Sequence, residues 1–385
     1  MGIFSLPPAP PRADLDLESF LRSDATQSPV QRFRRMLAAE WFPQSGVQLT
    51  WPHKSTDWAP ILPDVEKCYL RMAYEIATRE QLLIVTPCVA DVKARIEANL
   101  PKRATDHIIY MECPTDDTWA RDHGFLTVVG TGNVELHDFL FRGWGGKFGA
   151  EQDNAINAHL AESGLVNGIY TPHADFELEG GSIESDGCGT ILTTTNCLLN
   201  DNRRHTHDKD QIELAFRDFF GTTNVLWLEH GDLEGDDTDA HIDTLARLCP
   251  GNVIAYVRCD DQTDTHYAEL QRMEEQLRTF KNADGEDFTL VPLPFPDAIY
   301  DGDERLPATY ANYLILNRAI LLPTYNQPEK DDAAKRALQQ IFPKYDIVGI
   351  DCCTLIRQHG SLHCSTMQFP KGVLTNPKTN ENNDR

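Results

Sequence analysis

The chain has 385 residues, with 59 Asp and Glu against 35 Lys and Arg, and a formal net charge of −24. That length supports a sizeable core, as one large α/β domain or two average ones. An acidic surface cannot neutralise phosphates, so nucleic acid is not an expected partner, whereas an acidic cleft concentrates cations. Ten cysteines are scattered, and Cys68, Cys249 and Cys259 sit inside apolar runs, as expected of reduced core thiols in the cytoplasm. The N-terminus shows no basic-then-apolar leader and no apolar stretch reaches membrane-spanning length, so neither export nor a membrane is expected.

Residues 1–60 are proline-rich and read as an N-terminal extension packed on or leading into the domain, with one helix around Pro29–Trp41. Residues 61–375 read as a single α/β domain and 376–385 as a polar tail. Helical spacing of apolar residues predicts helices at Asp64–Glu80, Val89–Leu100, Glu151–Gly164, Asp208–Phe220, Thr265–Phe280 and Glu329–Phe342. In the fifth of these, Leu270, Met273, Leu277 and Phe280 share one face. Short β-rich runs are interleaved with them: Ile108–Tyr110, Phe125–Val129, Gly168–Tyr170, Thr190–Thr193, Val225–Leu228, Val253–Val257, Phe288–Val291, Ile320–Leu322 and Asp346–Ile350.

The chain thus reads as five helix-plus-strands units. In each, a polar run is read as following the first strand: Asp122, Glu179, His241 with Asp243, Asn312 and Cys364. Arranged around an axis, these runs would meet at its centre; the same alternation also fits an open doubly wound sheet.

Cys364 lies in the small, polar run Gly360–Thr366. A thiol attacks as thiolate, which a neighbouring imidazole favours by taking its proton. His363 is adjacent, but neighbours on an extended strand point to opposite faces. His241 is therefore the expected partner, with Asp243 two positions on. Before them runs the acidic loop 231–239, which lacks calcium-loop spacing; Asp236, Asp237 and Asp239 are candidates to meet a substrate amine. Trp119 three residues before Asp122 supplies an aromatic face and a carboxylate, the pair that a planar cation asks for. In Glu179-Gly180-Gly181 a carboxylate stands where the backbone can approach closely. Gly143–Phe148 fails as a phosphate loop because Phe148 replaces the required hydroxyl residue. Cys352, Cys353, His359, His363 and Cys364 lack paired zinc spacing, so no metal is expected.

At these residues the chain resembles the agmatine deiminase / bacterial-type peptidylarginine deiminase family of guanidino-group-modifying enzymes. The resemblance rests on Trp119-x-Arg121-Asp122-x-Gly124, Trp144–Lys147, Glu179–Gly181, Asp237-Thr238-Asp239-x-His241-x-Asp243, Tyr310–Tyr313 and His363-Cys364-x-Thr366-x-Gln368-x-Pro370. It implies a five-bladed α/β-propeller (a pentein) with a central active site, no organic cofactor or metal, and a homodimer in keeping with its relatives. It also implies roles. Asp122 and Asp243 would grip a guanidinium, Cys364 would attack its carbon to give a thiouronium, His241 would move the protons, and Glu179 would orient His241. Trp119, Trp144, Asp237, Asp239 and Asn312 would line the substrate. Agmatine, converted to N-carbamoylputrescine, fits the acidic rim. Peptidyl or free arginine, amidinotransfer and a non-enzymatic guanidine-binding regulator stay open. The sequence departs from the usual pattern at Phe125 (Pro expected), Ala240 (Gly), His359 (in a Gly-rich approach) and Met367 (Gln).

Overall fold

A computed structural model describes residues 35–130, 132–203 and 207–375. Most of the expected N-terminal extension, including Pro29–Arg34 of the expected helix, and the 376–385 tail lie outside them. The remainder of that helix is not helical: Met36–Leu37 forms a strand paired antiparallel with Val128 and Val129.

Among the described residues, a mixed α/β fold arranges five sheets of three or four strands, with a small two-stranded ribbon at Tyr300–Asp301 and Glu304–Arg305. The sheets repeat one connection. A short strand turns back antiparallel into a second, and a crossover then brings a third strand parallel to the second. The trios are Leu126–Val129, Val134–Leu140 and Ile169–Glu177; Ile183–Ser185, Thr190–Thr194 and Asn224–Leu228; Ala246–Cys249, Val253–Arg258 and Thr289–Pro294; and Leu314–Leu316, Ala319–Thr324 and Asp346–Asp351. The fifth sheet takes its first strand, Thr366–Pro370, from the end of the described chain and its second, Gln44–Thr50, from near the beginning. Gln81–Thr86 and Ile108–Glu112 then add in parallel. Residues 44–50, inside the expected extension, are thus an inner strand.

The parallel strand of each sheet is reached through a helix, as parallel crossovers require. The crossover helices include Leu62–Ala77, Glu151–Glu162, Lys209–Phe220, Tyr267–Leu277 and Pro328–Ile341. Asp208 and Gln211 start the third with a reciprocal capping box, and Gly221 ends it in the left-handed conformation at φ 69°. Gln81–Thr86 is an almost unbroken apolar run, buried with a parallel neighbour on each side. No helix among the described residues is long and apolar enough to cross a membrane.

Between sheets lies a buried ionic knot. Arg247, fully buried, bonds Glu184 at 2.5 Å, Glu40, and the carbonyls of Ala311 (3.0 Å) and Tyr313 (2.6 Å), and it stacks on the Tyr313 ring at 4.6 Å. Removing one side of a buried ion pair leaves uncompensated charge. Arg247→Met is therefore expected to lose about 3–5 kcal/mol of folding stability, a drop that urea unfolding would read directly.

Candidate active site

Each predicted polar residue follows the first strand of its helix-plus-strands unit, as expected, and so stands just before the first strand of the next sheet. Asp122 lies in the single turn Ala120–His123 before Leu126; Glu179 caps the turn Gly180–Ser182 before Ile183; Asp243 is inside the turn Ile242–Thr244 before Ala246; Asn312 precedes Leu314; and Cys364 precedes Thr366. Turns at equivalent ends of the sheets bring the groups together. A Cβ built on Gly181 would stand 2.7 Å from Asp122 Oδ1, 2.7 Å from His241 Nδ1 and 3.3 Å from Asp243 Oδ2. Only the missing side chain at Gly181 leaves these three groups room around one point. Gly181→Ala is accordingly expected to cost roughly a hundredfold in kcat/KM while the protein stays folded, as displaced catalytic groups do; steady-state kinetics beside a melting curve check it.

Hydrogen bonds give each group its orientation. Asp122 accepts from Trp144 Nε1 and from the Gly181 amide, both at 3.0 Å, and its Oδ1 lies 3.5 Å from His241 Nδ1. Asp243 Oδ2 faces His363 Nδ1 at 2.8 Å, Asn312 Nδ2 at 3.2 Å and Cys364 Sγ at 3.8 Å. Its Oδ1 is buried without a hydrogen-bond partner, as are both ring nitrogens of His241. Asn312 Nδ2 also lies 3.2 Å from Cys364 Sγ. Orphaned polar atoms in a dry site are costly unless a ligand meets them.

The two aspartates differ electrostatically. Burial, then the charge of Asp243, holds the Asp122 carboxyl well above the usual carboxylate range. For Asp243 burial acts the same way, but the hydrogen bond and charge of His363 outweigh it, and its pKa is lowered. Burial brings His241 down to about 3, so its imidazole is neutral at ordinary pH. Burial and the charges of Asp243 and Asp122 push the Cys364 thiol well above its usual value. The site thus holds a protonated thiol and a neutral imidazole.

Glu179 is fully buried and paired with Arg203 Nε at 2.9 Å rather than bonded to His241, and burial raises its pKa. Trp119 donates its indole N–H to Asp117 at 3.1 Å, and Gly360 lies so close to its ring that a Cβ there would come within 2.3 Å. Both oxygens of Asp239 are occupied, by Lys147 at 2.7 Å and by Arg203 (2.7 Å) and Asn202 (2.9 Å). Those donors outweigh burial and lower its pKa. The Asp237 carbonyl accepts from Lys147 at 2.5 Å, and burial with neighbouring Asp236 raises its carboxyl to about 6.

Among the described residues, two groups of side chains place ligand-type atoms within 4.8 Å of one another: Glu179, Cys197 and His241, and Glu40, Glu184 and His363. Each is already served by a guanidinium. Arg203 lies on Glu179 and 3.5 Å from Cys197 Sγ, and Arg247 bonds both Glu184 and Glu40.

Sequence reasoning passed over Arg203, set His363 aside, and read Gly181 only as a place of close backbone approach. His363 was set aside as strand-opposed to Cys364, yet residues 362–365 form a turn, so both side chains reach Asp243. The departures from the family pattern also acquire causes. Ala240 (φ 64°) and His359 (φ 63°) are left-handed, the conformation that glycine takes most easily. Ala240 is held there by its amide bonding Asp236 (2.6 Å) and its carbonyl accepting from Thr194 (2.8 Å). Ala240→Gly is therefore expected to raise stability by about 1 kcal/mol with activity unchanged, measured by urea unfolding. Met367 puts its sulfur 3.5 Å from Arg121 Nη1, and Phe125 packs edge-on to Tyr170.

The chain is 32% identical over 357 residues to a Pectobacterium atrosepticum protein named "Putative agmatine deiminase", covering 87% of this chain and 94% of that one. A Porphyromonas gingivalis structure, named "Putative Arginine Deiminase", is 45% identical with a TM-score of 0.84, covering 89% of this chain and all of the other. A cysteine-to-serine agmatine deiminase of C. jejuni with substrate bound is 36% identical with a TM-score of 0.81, covering 88% and 97%. The family model of the Porphyromonas-type peptidyl-arginine deiminases matches residues 36–370, which takes in all five sheets and every group around Gly181, and the chain belongs to that family.

Proposed function

We propose that this protein hydrolyses a guanidino group, agmatine first among its substrates, releasing ammonia through a covalent thiouronium on Cys364. The observation that carries this is the convergence of Asp122, His241 and Asp243 on Gly181, with an unpartnered Asp243 oxygen and Cys364 Sγ 3.8 Å from that carboxylate. Two carboxylates so placed suit a planar cation, which also fixes the angle of attack. The five sheets are read as blades of an α/β-propeller, because Thr366–Pro370 pairs with Gln44–Thr50 and so joins the last unit to the first.

The charge states set the order of events. A neutral imidazole is an acceptor, so the Cys364 proton passes to His241 as sulfur bonds to the guanidinium carbon. The substrate's positive charge offsets the burial and the Asp243 charge that keep the thiol protonated. His241 then gives its proton to the leaving nitrogen, the C–N bond breaks and ammonia departs. Water, deprotonated by His241, attacks the thiouronium carbon. The C–S bond breaks and the urea product leaves, with the proton returned to sulfur.

Substrate choice rests on the cations beside the site. A substrate α-carboxylate would want a free one: Lys147 is taken by Asp239, Arg203 by Glu179 and Arg142 by Glu177, while Arg121 keeps two buried nitrogens without a hydrogen-bond partner and leaves arginine as the second reading. An amine tail suits the rim better, with Asp237 available to it. Ammonia release from agmatine, free arginine and C-terminal arginyl peptides tests this. Agmatine is expected to turn over fastest, and release from peptides or arginine without agmatine would overturn the substrate assignment.

A further inference from the structure

Resting on the guanidine-hydrolase reading above, the geometry points to a further positioning residue: we infer that His363, clamped between Glu40 and Asp243, holds Asp243 as the charged, fixed jaw of the guanidinium site.

The clamp is a line of buried groups. Glu40 Oε2 lies 2.8 Å from His363 Nε2, and Asp243 Oδ2 lies 2.8 Å from His363 Nδ1. Glu40 is itself committed, with Oε1 accepting from the Ile315 amide at 2.6 Å and Oε2 bonding Arg247. Only an imidazolium has a proton for each of two carboxylates placed at such distances. The charges facing it come from every side: Glu40 from the N-terminal segment, Asp243 from its turn, and Arg247 (Nη2 at 3.1 Å) from the third sheet. Glu184 on the second sheet pairs with Arg247, and the Arg121 charge acts on Glu40. With Oδ2 fastened to His363 and Asn312, the free Oδ1 of Asp243 is the atom left for substrate.

The arrangement gives the two aspartates different duties. Asp243 is ionised before substrate arrives, while Asp122 sits above the usual carboxylate range and surrenders its proton as the guanidinium binds. Below the raised Asp122 pKa, guanidinium binding then releases one proton. Without His363 the pair holds more protons, and the second must leave as well.

Two variants separate charge from hydrogen bonding. His363→Asn places an amide N–H near the Nδ1 position and keeps a neutral bond to Asp243. His363→Gln reaches toward Glu40 instead and loses that bond. Both are assayed for ammonia release against pH, and both are repeated in a Cys364→Ala background for calorimetric agmatine binding in two buffers of different ionisation enthalpy. His363→Gln is expected to raise KM about tenfold to a hundredfold with a smaller change in kcat. Its acid limb of kcat/KM should steepen toward two protons and move up by about one unit or more. His363→Asn should fall between it and wild type, and Glu40→Gln should reproduce the shift without adding to that of His363→Gln. Folded variants, by circular dichroism and melting, with the wild-type acid limb and one-proton release would overturn the inference. So would equal losses in every variant with the limb unmoved, which is the mark of a merely structural role. Failure of the hydrolase reading looks different, since wild type itself would then release no Cys364-dependent ammonia from any guanidine.

Discussion

Cys364→Ala is expected to slow ammonia release from agmatine by about 10⁴-fold or more, because a covalent mechanism has no substitute for its nucleophile. The magnitude follows from the site. Resonance makes a guanidinium a poor electrophile, and the neighbouring groups offer no ready substitute: Asn312 is an amide, His241 is assigned to proton transfer in the proposed mechanism, and the buried Cys197 thiol near His241 is held by Arg203, with burial keeping its pKa well above the usual value. The variant should still bind agmatine, since both carboxylates and the Gly181 space are untouched. Calorimetry on Cys364→Ala and acid-quench mass spectrometry on wild type read the two halves separately. Turnover that survives in the variant, or wild type quenched in steady state with no thiouronium-sized adduct, would count against the covalent step. The high thiol pKa sharpens this further. A thiol kept protonated by burial and by the charge of Asp243 should react sluggishly with a neutral alkylating agent in the absence of substrate, and faster when a guanidinium that leaves sulfur accessible is bound.

His241→Gln is expected to lose about 10²–10⁴-fold in kcat, with KM changing far less, because one imidazole serves both proton transfers. Its lowered pKa has a definite sign. A histidine held near 3 is neutral throughout the range in which the enzyme would be assayed, so the acid limb of kcat/KM does not report its protonation in free enzyme. That limb belongs to Asp122, whose raised pKa means that activity falls as pH drops and the carboxyl takes up the proton that guanidinium must displace. A pH profile of wild type should therefore rise through the region where a perturbed carboxyl titrates. Asp122→Asn should flatten the limb at much reduced kcat/KM.

Much of this was legible in the residues. Five repeating units could be counted because each crossover helix carries an apolar stripe, as in Leu270, Met273 and Leu277, and that periodicity survives without any neighbour. Cys364, His241, Asp122, Asp243 and Glu179 could be picked out because small, polar and charged residues in short runs between apolar segments have few structural reasons to be there. The strand Gln81–Thr86 was missed for the opposite reason. A short, buried, parallel strand is a plain apolar run, and this one follows a helix after only Thr78, Arg79 and Glu80. Met36–Leu37 was read as helix because a two-residue strand has no periodicity at all; its pairing with Val128 and Val129 makes it one.

The sequence by itself determined the kind of chemistry and the number of units, since both are written in local runs: apolar spacing for the helices, and one reactive or charged side chain beside each unit's strands. Only the tertiary structure decided how those side chains act. Which carboxylate is charged depends on what is buried against it, and His363, not anything near Asp243 in sequence, makes that difference from 2.8 Å away. The same holds for Asp239, whose oxygens are claimed by Lys147, Asn202 and Arg203, and for Gly181, whose missing side chain has meaning only because two other turns converge on it. Residue type is a local property, whereas protonation, orientation and empty space are set by neighbours that the fold brings in from distant parts of the chain.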